Sequence, residues 1–229
     1  MTNVPADGKW SRLLSLSVHE LRTPISVVAG YLRMLLKDPS GALDERYRRM
    51  LEEAEKSCGR LAALVAEMSD LSALEGGTAA LKTAPVDIRA LLPEAIAALP
   101  PLPDRTVSIE LTTGTGPAVI QGDAARLQSA IMSVIHALRR ELVTSDNLLI
   151  NERFAPYEGR AASWIAIGDG ENIQALSTTD AKDLNTFDEW RGGCGLSLPV
   201  ARQVIDRHRG AIWSPSNGAK AAAVIVLPH

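Results

Sequence analysis

Two long segments of the chain repeat their apolar residues with the spacing of packed helices. In each, apolar side chains recur at steps of three and four, the pattern of helices that pack along their length. The first set comprises Leu14, Val18, Leu21, Ile25, Val28, Leu32 and Leu35. The second, after a turn signal at residues 38–41, comprises Tyr47, Met50, Ala54, Cys58, Leu61, Val65, Met68 and Leu71. The pattern predicts a first helix over residues 9–37 and an antiparallel all-α helical hairpin.

A lone helical hairpin has too narrow a core to bury both apolar seams. We therefore expect two copies of the chain to pair into a four-helix bundle, which predicts a homodimer. A bundle formed within one chain is the rival, but the second half of the sequence supplies no comparable long helices.

The second half mixes shorter helix and strand patterns. Helical spacing covers residues 87–99, 123–142 and 196–208. Strand patterns cover residues 107–111, 118–121, 148–154, 162–167, 211–213 and 221–227; we expect the strands at 148–154 and 162–167 to pair, and those at 211–213 and 221–227 to form a closing hairpin. This mixture predicts an α+β sandwich with one sheet covered by helices on one face. The expected organisation is a disordered terminus over residues 1–8, a helical domain over 9–78, a linker over 79–86 and a second domain over 87–229.

Composition removes several classes of function. The 229 residues are 46% hydrophobic and 22% charged, which is ordinary for a soluble globular protein. A net charge of -3 gives no basic footprint for nucleic acid. No segment has the length of a membrane span or the pattern of a secretion signal, and the two cysteines suggest neither a disulfide framework nor a metal site. We therefore expect a cytoplasmic protein.

The first helix carries a candidate reactive histidine. His19 lies just beside the apolar seam, so we expect its imidazole to be accessible to solvent. Thr23 follows one turn later on the same face, and Glu20 is near enough to accept an imidazole proton. Pro24 removes the hydrogen bond to the carbonyl of Glu20, which predicts a bend. Taken alone, a histidine in this position is more often an ordinary solvated helix histidine.

Residues 19–24, His-Glu-Leu-Arg-Thr-Pro, resemble the phosphorylation-site box of the two-component sensor histidine kinases. The resemblance implies that His19 is the phosphoacceptor, that Glu20 is the base and that Thr23 serves phosphatase activity. The chemistry agrees, because a neutral imidazole has a free lone pair and is a usable nucleophile near neutral pH.

The second half resembles the ATP-binding domain of the same family. Residues 193–198, Gly-Cys-Gly-Leu-Ser-Leu, follow the family's second glycine box, and residues 209–213 follow its sequel. Glycines at a junction between a loop and a helix let backbone amides approach phosphates, although such a pair alone is compatible with a plain tight turn. The resemblance implies nucleotide contacts from Asp169, Gly170, Arg140, Gly193, Gly195 and Leu196. Asp169 would bind adenine, unless it is an ordinary turn former.

Three elements depart from the family pattern. Ala137 stands where the family has its magnesium-binding asparagine, and neighbouring His136 is out of helical phase to replace it. Asn172 stands where the second glycine of the first glycine box is expected, and we expect it to tolerate a left-handed backbone. Most of the mobile lid over the phosphates is missing, since only Arg191 separates the aromatic-acidic run at residues 187–190 from the glycines. The loss of the metal ligand and the loss of the lid both weaken the ATP and Mg²⁺ binding that the resemblance implies.

The leading hypothesis is a histidine kinase core that phosphorylates His19 from ATP and passes the phosphoryl group to an aspartate of a response regulator. The alternative is a dimeric phosphotransfer protein or phosphatase with weak or no ATP binding. A third reading is a purely structural dimer, which requires His19, Glu20 and Thr23 to occur by chance or as relics.

Overall fold

The computed structural model describes residues 6–37, 43–143, 145–191 and 193–229. The chain divides into two compact units, Met1–Ala79 and Ala80–His229. None of the described helices is long and apolar enough to cross a membrane.

The first unit is a hairpin of two helices, α1 (Ala6–Leu36) and α2 (Glu45–Glu75). The helices run antiparallel, because Cys58 contacts the carbonyl of Ile25 while Arg33 lies 3.6 Å from Glu55. Helix α1 begins at Ala6, before the predicted start at residue 9. The turn signal at residues 38–41 lies outside the described residues. Asp44 begins α2 by accepting a hydrogen bond from the backbone N–H of Arg46 at 2.8 Å.

The apolar seam of α1 divides between two directions. Val18 is 3% exposed, and Ile25 and Leu32 are partly buried, so these residues face α2. Leu21 and Val28, which alternate with them along the seam, are 45% and 50% exposed. The hairpin alone therefore buries only one side of the predicted seam.

In its described residues, the second unit has a six-stranded sheet, a two-stranded sheet and four α-helices. The helices are α3 (Ile88–Ala97), α4 (Ala124–Glu141), α5 (Ile173–Leu176) and α6 (Ser197–Arg207). The strands are β1 (Ala84–Asp87), β2 (Ser108–Thr113), β3 (Val119–Gly122), β4 (Asn147–Tyr157), β5 (Arg160–Gly168), β6 (Leu184–Thr186), β7 (Ala211–Pro215) and β8 (Ala223–Pro228).

The large sheet has the strand order β2-β4-β5-β8-β7-β6. Its β2–β4 pair is parallel, and its other pairs are antiparallel. The α+β fold class is thus as predicted, and so are the β4–β5 and β7–β8 pairings. The small sheet joins β1 to β3, which means that the predicted linker at residues 79–86 contains most of a strand.

Strand β5 is buried on both sides. Trp164 and Ala166 pack with Ile173 and Leu176 of α5, while Ile165, on the opposite face by strand alternation, is fully buried as well. The prediction of helices on one face only was therefore incomplete. The sequence did not reveal α5 because it is a single short turn without a helical apolar repeat.

Both ends of α4 are held by side chains from elsewhere in the second unit. At its start, Asp123 Nα–H donates to Nε2 of His208 at 2.9 Å, and Nδ1 of that ring, 2.7 Å from the carbonyl of Val204, must carry the proton. At its end, the Arg105 guanidinium donates to the carbonyls of Leu142 and Arg139, both at 2.6 Å. A cation at a helix C-terminus satisfies carbonyls that have no partner within the helix. Helix α4 is thus fixed at both ends.

Asp123→Asn should destabilise the second unit by about 2 kcal/mol, or roughly 4–8 °C in melting temperature. The carboxylate accepts from the backbone N–H of Lys82 at 2.9 Å and of Arg126 at 3.2 Å, and an amide nitrogen cannot accept either bond. Burial opposes ionisation, but these N–H groups and the Arg126 charge lower the pKa of Asp123 below its usual 3.8. The stabilisation is therefore complete above about pH 4 and is lost as the pH falls through the lowered pKa.

Thermal unfolding of the wild type and of Asp123→Asn between pH 7 and pH 3 measures the stabilisation by the Asp123 carboxylate. Asp87→Asn is the matched control. Asp87 is exposed, and its carboxylate caps α3 by accepting one hydrogen bond, from the backbone N–H of Arg89 at 2.9 Å. Its effect should be smaller. Equal losses for the two variants, or a difference that persists unchanged at pH 3, would contradict the assignment.

Candidate functional site

His19 and Glu20 project from the middle of α1 into solvent. Their side chains are 78% and 74% exposed, and Nδ1 of His19 lies 3.6 Å from Oε1 of Glu20. The burial of Val18 sets this orientation, because the next residue on a helix is rotated by about 100°. Thr23 is exposed one turn later, on the side of the helix that carries His19. The three predicted residues thus share an accessible stretch, with a carboxylate close to one imidazole nitrogen.

Asp169 lies directly after β5 and is partly buried. Its Oδ1 accepts hydrogen bonds from the backbone and the side chain of Asn172, at 3.0 and 2.7 Å. Asn172 in turn accepts from the side chain of Asn217 at 2.9 Å. One carboxylate oxygen of Asp169, the residue predicted to bind adenine, therefore also stabilises the loop that contains it.

Asn172 does not use the left-handed backbone that we expected it to tolerate. Its φ is -96°, an ordinary right-handed value, and it precedes the first residue of α5. Gly170 also has ordinary φ, and a Cβ there would meet open space. The loop achieves its turn through the Asp169–Asn172 hydrogen bonds, so it does not need the left-handed backbone that glycines supply.

Gly193, Gly195 and Leu196 form the turn into α6. Gly193 and Gly195 have φ values of 57° and 63°, where glycine is strongly favoured. Leu196 is the residue before the helix, and Ser197 Oγ donates to the carbonyl of Cys194 at 2.8 Å. This left-handed loop before a helix fits the geometry that an anion requires.

Arg140, near the C-terminal end of α4, contacts this turn. Its Nη1 lies 3.4 Å from the carbonyl of Gly193 and 3.8 Å from Sγ of Cys194. The structure thus brings together four of the predicted nucleotide residues: Arg140, Gly193, Gly195 and Leu196. Asp169 and Gly170 occupy the separate loop between β5 and α5.

The residues on α4 do not fit a protein-held Mg²⁺ ion. Ala137 is fully buried and has no donor atom. The Nδ1 atom of His136 lies 3.0 Å from a guanidinium nitrogen of Arg139, and burial, then the charges of Arg139 and Arg140, lower the pKa of His136. Among the residues that the structure describes, no group of three or more His, Cys, Asp or Glu side chains could hold a metal. Mg²⁺ also prefers oxygen ligands to imidazole.

Sequence reasoning missed one buried ion pair beside the glycine turn. Arg191 and Glu141, with side chains 10% and 15% exposed, lie 3.7 Å apart. Burial lowers the pKa of Arg191 and raises the pKa of Glu141. In each case the opposite charge of the partner shifts the pKa in the other direction, but more weakly. No sequence motif marks this pair, because its members lie on different elements and each alone looks like a surface charge.

Comparison with known proteins identifies the first unit. Residues 9–77 match the family described as the His Kinase A (phospho-acceptor) domain. This segment is similar to a His Kinase A domain. Its two helices are α1 and α2, and His19 lies on the first of them.

The chain that contains this His Kinase A domain is homologous to sensor histidine kinases. It is 25% identical over 233 residues to the sensor protein GacS of Pseudomonas syringae pv. syringae, covering 95% of this chain and 25% of GacS. It is 23% identical over 239 residues to the cell-division control histidine kinase PdhS of Brucella ovis, covering 97% of this chain and 23% of PdhS. The chain thus spans about a quarter of the length of these relatives.

Two solved structures share the fold of the chain. Full-length ShkA, crystallised in complex with AMPPNP, superposes with a TM-score of 0.66 at 21% identity, covering 94% of this chain and 44% of ShkA. The Acinetobacter baumannii histidine kinase AdeS gives a TM-score of 0.52 at 20% identity, covering 91% of this chain and 95% of the AdeS chain. Both superpositions extend beyond the His Kinase A domain into the α+β unit.

Proposed function

We propose that this chain is a histidine kinase core that transfers the γ-phosphoryl group of ATP to His19 and then to an aspartate of a response regulator. The observation that carries the proposal is the exposed imidazole of His19, held beside the Glu20 carboxylate within a His Kinase A domain. Exposure matters because both the donor nucleotide and the acceptor protein must reach the same nitrogen. Histidine kinase relatives support the reaction class.

In this proposal, Nε2 of His19 attacks the γ-phosphorus of ATP. An N–P bond forms as the P–O bond to the β-phosphate breaks, and ADP leaves with the electron pair of that bond. Glu20 holds the proton on Nδ1 and keeps the lone pair of Nε2 directed outward. Thr23 orients a water for the opposite activity, hydrolysis of the phosphoryl group on the regulator.

We assign residues 9–78 to dimerisation and phosphotransfer, and residues 87–229 to nucleotide binding. Dimerisation is supported by the apolar surface that the hairpin leaves uncovered, because one chain exposes many large apolar side chains along both helices. They are Leu16, Leu21, Val27, Val28, Tyr31, Met34 and Leu35 on α1, and Tyr47, Met50, Leu61 and Leu64 on α2. The proposed use of ATP favours the cytoplasm as the site of action.

ATP as the donor is supported by the glycine turn and by Asp169, and the related fold of ShkA was solved with the ATP analogue AMPPNP. The backbone amides around Gly193 and Gly195 would bind phosphates, with Arg140 beside them, while Asp169 would accept from the adenine amino group. We derive no step through a protein-bound Mg²⁺, because Ala137 offers it no ligand.

The second candidate is a phosphotransfer protein or phosphatase whose α+β unit binds ATP weakly or not at all. The buried Ala137 favours it, and so do the internal contacts of Asp169 and Arg140, which a nucleotide would have to share or displace. In that case a phosphorylated regulator transfers its phosphoryl group to His19.

Calorimetric titration with AMPPNP and magnesium separates the two candidates. The kinase requires saturable binding to one site per chain, with a dissociation constant in the micromolar range that is typical of enzyme substrates. Alanine at Asp169 should weaken that binding at least tenfold, since the adenine would lose its carboxylate acceptor. The absence of binding at millimolar AMPPNP, in a protein that still melts cooperatively, would leave the phosphotransfer candidate.

A further inference from the structure

Residues 187–191, which we call the strap, are held at three successive points. Phe187 is 2% exposed and anchors the strap in the core. Glu189 accepts from Nη1 of Arg202 on α6 at 3.1 Å. Arg191 then turns inward, whereas Trp190 between them is 73% exposed. The strap is therefore attached to the core, to α6 and, through Arg191, to α4.

Arg191 makes the most extensive of these attachments. Its guanidinium donates to the carbonyl of Lys220 at 2.8 Å and to that of Ala222 at 3.4 Å. Its Cζ lies 4.4 Å from the ring centroid of Phe187, and Nη1 lies 3.7 Å from the Glu141 carboxylate. One side chain thus connects the strap, the end of α4 and the segment before β8. A planar guanidinium can serve these partners together, which a lysine ammonium cannot.

The same end of α4 also reaches the glycine loop, by which we mean residues 193–196. Arg140 contacts the carbonyl of Gly193 and Sγ of Cys194, while its neighbour Glu141 pairs with Arg191. Two consecutive residues of one helix therefore hold the strap and the loop that follows it. Arg105 fixes this end of α4 through its hydrogen bonds to the carbonyls of Leu142 and Arg139, so both contacts start from a well-anchored helix end.

We propose that the strap is a fixed clamp and that Arg191 is a positioning residue, which holds the glycine loop ready for nucleotide phosphates. The proposal rests on the glycine loop being the phosphate site of the proposed function. A mobile lid must be ordered when a ligand binds, which costs conformational entropy and lowers affinity. A strap that is already ordered avoids that cost, so a chain with most of its lid missing can retain affinity.

The burial of the ion pair makes this support sensitive to a single change. Neither Nε of Arg191 nor Oε2 of Glu141 has a hydrogen-bond partner within the described ranges. The charge of Glu141 is therefore compensated by the nearby cations, first Arg191 and then Lys220, rather than by a hydrogen bond at Oε2. Removal of one partner from a buried ion pair leaves the other uncompensated, which favours protonation of the remaining carboxylate or local opening. Opening at Arg191 would release the strap beside the glycine loop.

The test combines amide hydrogen exchange without nucleotide and AMPPNP affinity. Arg191→Gln should accelerate exchange at residues 187–196 at least tenfold and weaken AMPPNP binding by about tenfold. Arg191→Lys keeps the charge and should give intermediate values. Arg160→Gln is the matched control, because Arg160 is exposed at the start of β5, and it should change neither quantity. Exchange across β4 and β5 should stay slow in all variants.

Wild-type exchange at residues 187–196 as fast as that of an unstructured peptide would overturn the proposal. Faster exchange in Arg191→Gln without any loss of affinity would also overturn it, since the strap would then not support the phosphate loop. If the wild type binds no AMPPNP while Arg191→Gln still accelerates exchange in the strap, the assignment of ATP fails. The role of Arg191 in holding the strap is then retained, and its role in nucleotide binding is not. These outcomes separate failure of the inference from failure of the proposed function.

Discussion

Replacing His19 by glutamine should abolish acid-labile phosphorylation of the chain while leaving it folded. Glutamine is polar and of similar length, but its amide nitrogen has no basic lone pair with which to attack phosphorus. The side chain is 78% exposed, so the substitution removes no packing. Incubation with γ-labelled ATP and magnesium, followed by separate acid and alkali treatment, measures the label on each protein.

Ser26→Ala is the control for His19→Gln. Ser26 is exposed two turns further along the same side of α1, so its loss should leave the label unchanged. Equal label on wild type and His19→Gln would move the phosphoacceptor to another residue. No label on the wild type, in a protein of native helicity, would favour transfer from a phosphorylated regulator, and that protein should then label wild type but not His19→Gln.

Converting Val28 and Leu35 to glutamate should turn the dimer into a monomer. Both side chains are 50% exposed in the single chain and lie on the seam that α2 does not cover. A fully buried aliphatic side chain contributes about 1.5–3 kcal/mol, and each dimer would lose four of them and gain four charges at the interface. We expect the dimer dissociation constant to rise at least about a thousandfold.

Light scattering over a concentration series measures this change, because a chain of 24.5 kDa and a dimer of twice that mass are easily resolved. The matched control is Ser15→Glu with Ser26→Glu, which adds the same charge at exposed polar positions of α1. The control should remain dimeric. A dimeric Val28→Glu, Leu35→Glu double variant would place the interface elsewhere, and a monomeric wild type would remove the dimer from the proposed function.

The helical hairpin was predictable because its information is local and periodic. An apolar residue every three or four positions specifies both the helix and the side that packs, and Val18 confirms the phase. The same phase correctly placed His19 in solvent. The period could not predict which residues of the seam face α2 and which form an outer surface. Val18 and Val28 are the same residue type, but their exposed fractions are 3% and 50%.

The α+β unit was predictable in its class and in its adjacent strand pairs, where short connections dictate the partner. The parallel β2–β4 pair and the β1–β3 sheet join residues distant in sequence, and no local pattern specifies such pairings. The first glycine box shows a further limit. An asparagine in place of a glycine suggested a left-handed backbone, but the side chains of Asp169 and Asn172 provide a different way to form the turn.

The sequence by itself determined the candidate reactive histidine, its neighbours and the family resemblance, because a run of six consecutive residues on one helix carries them. It also placed Gly193 and Gly195 at the junction between a loop and a helix, and the structure adds that their backbone is left-handed. Only the tertiary structure decided that Arg140 contacts the glycine loop and that Arg191 is buried against Glu141. Those contacts depend on where helix ends and turns converge in space, and the energy of a buried charge depends on surroundings that no single segment of the chain supplies.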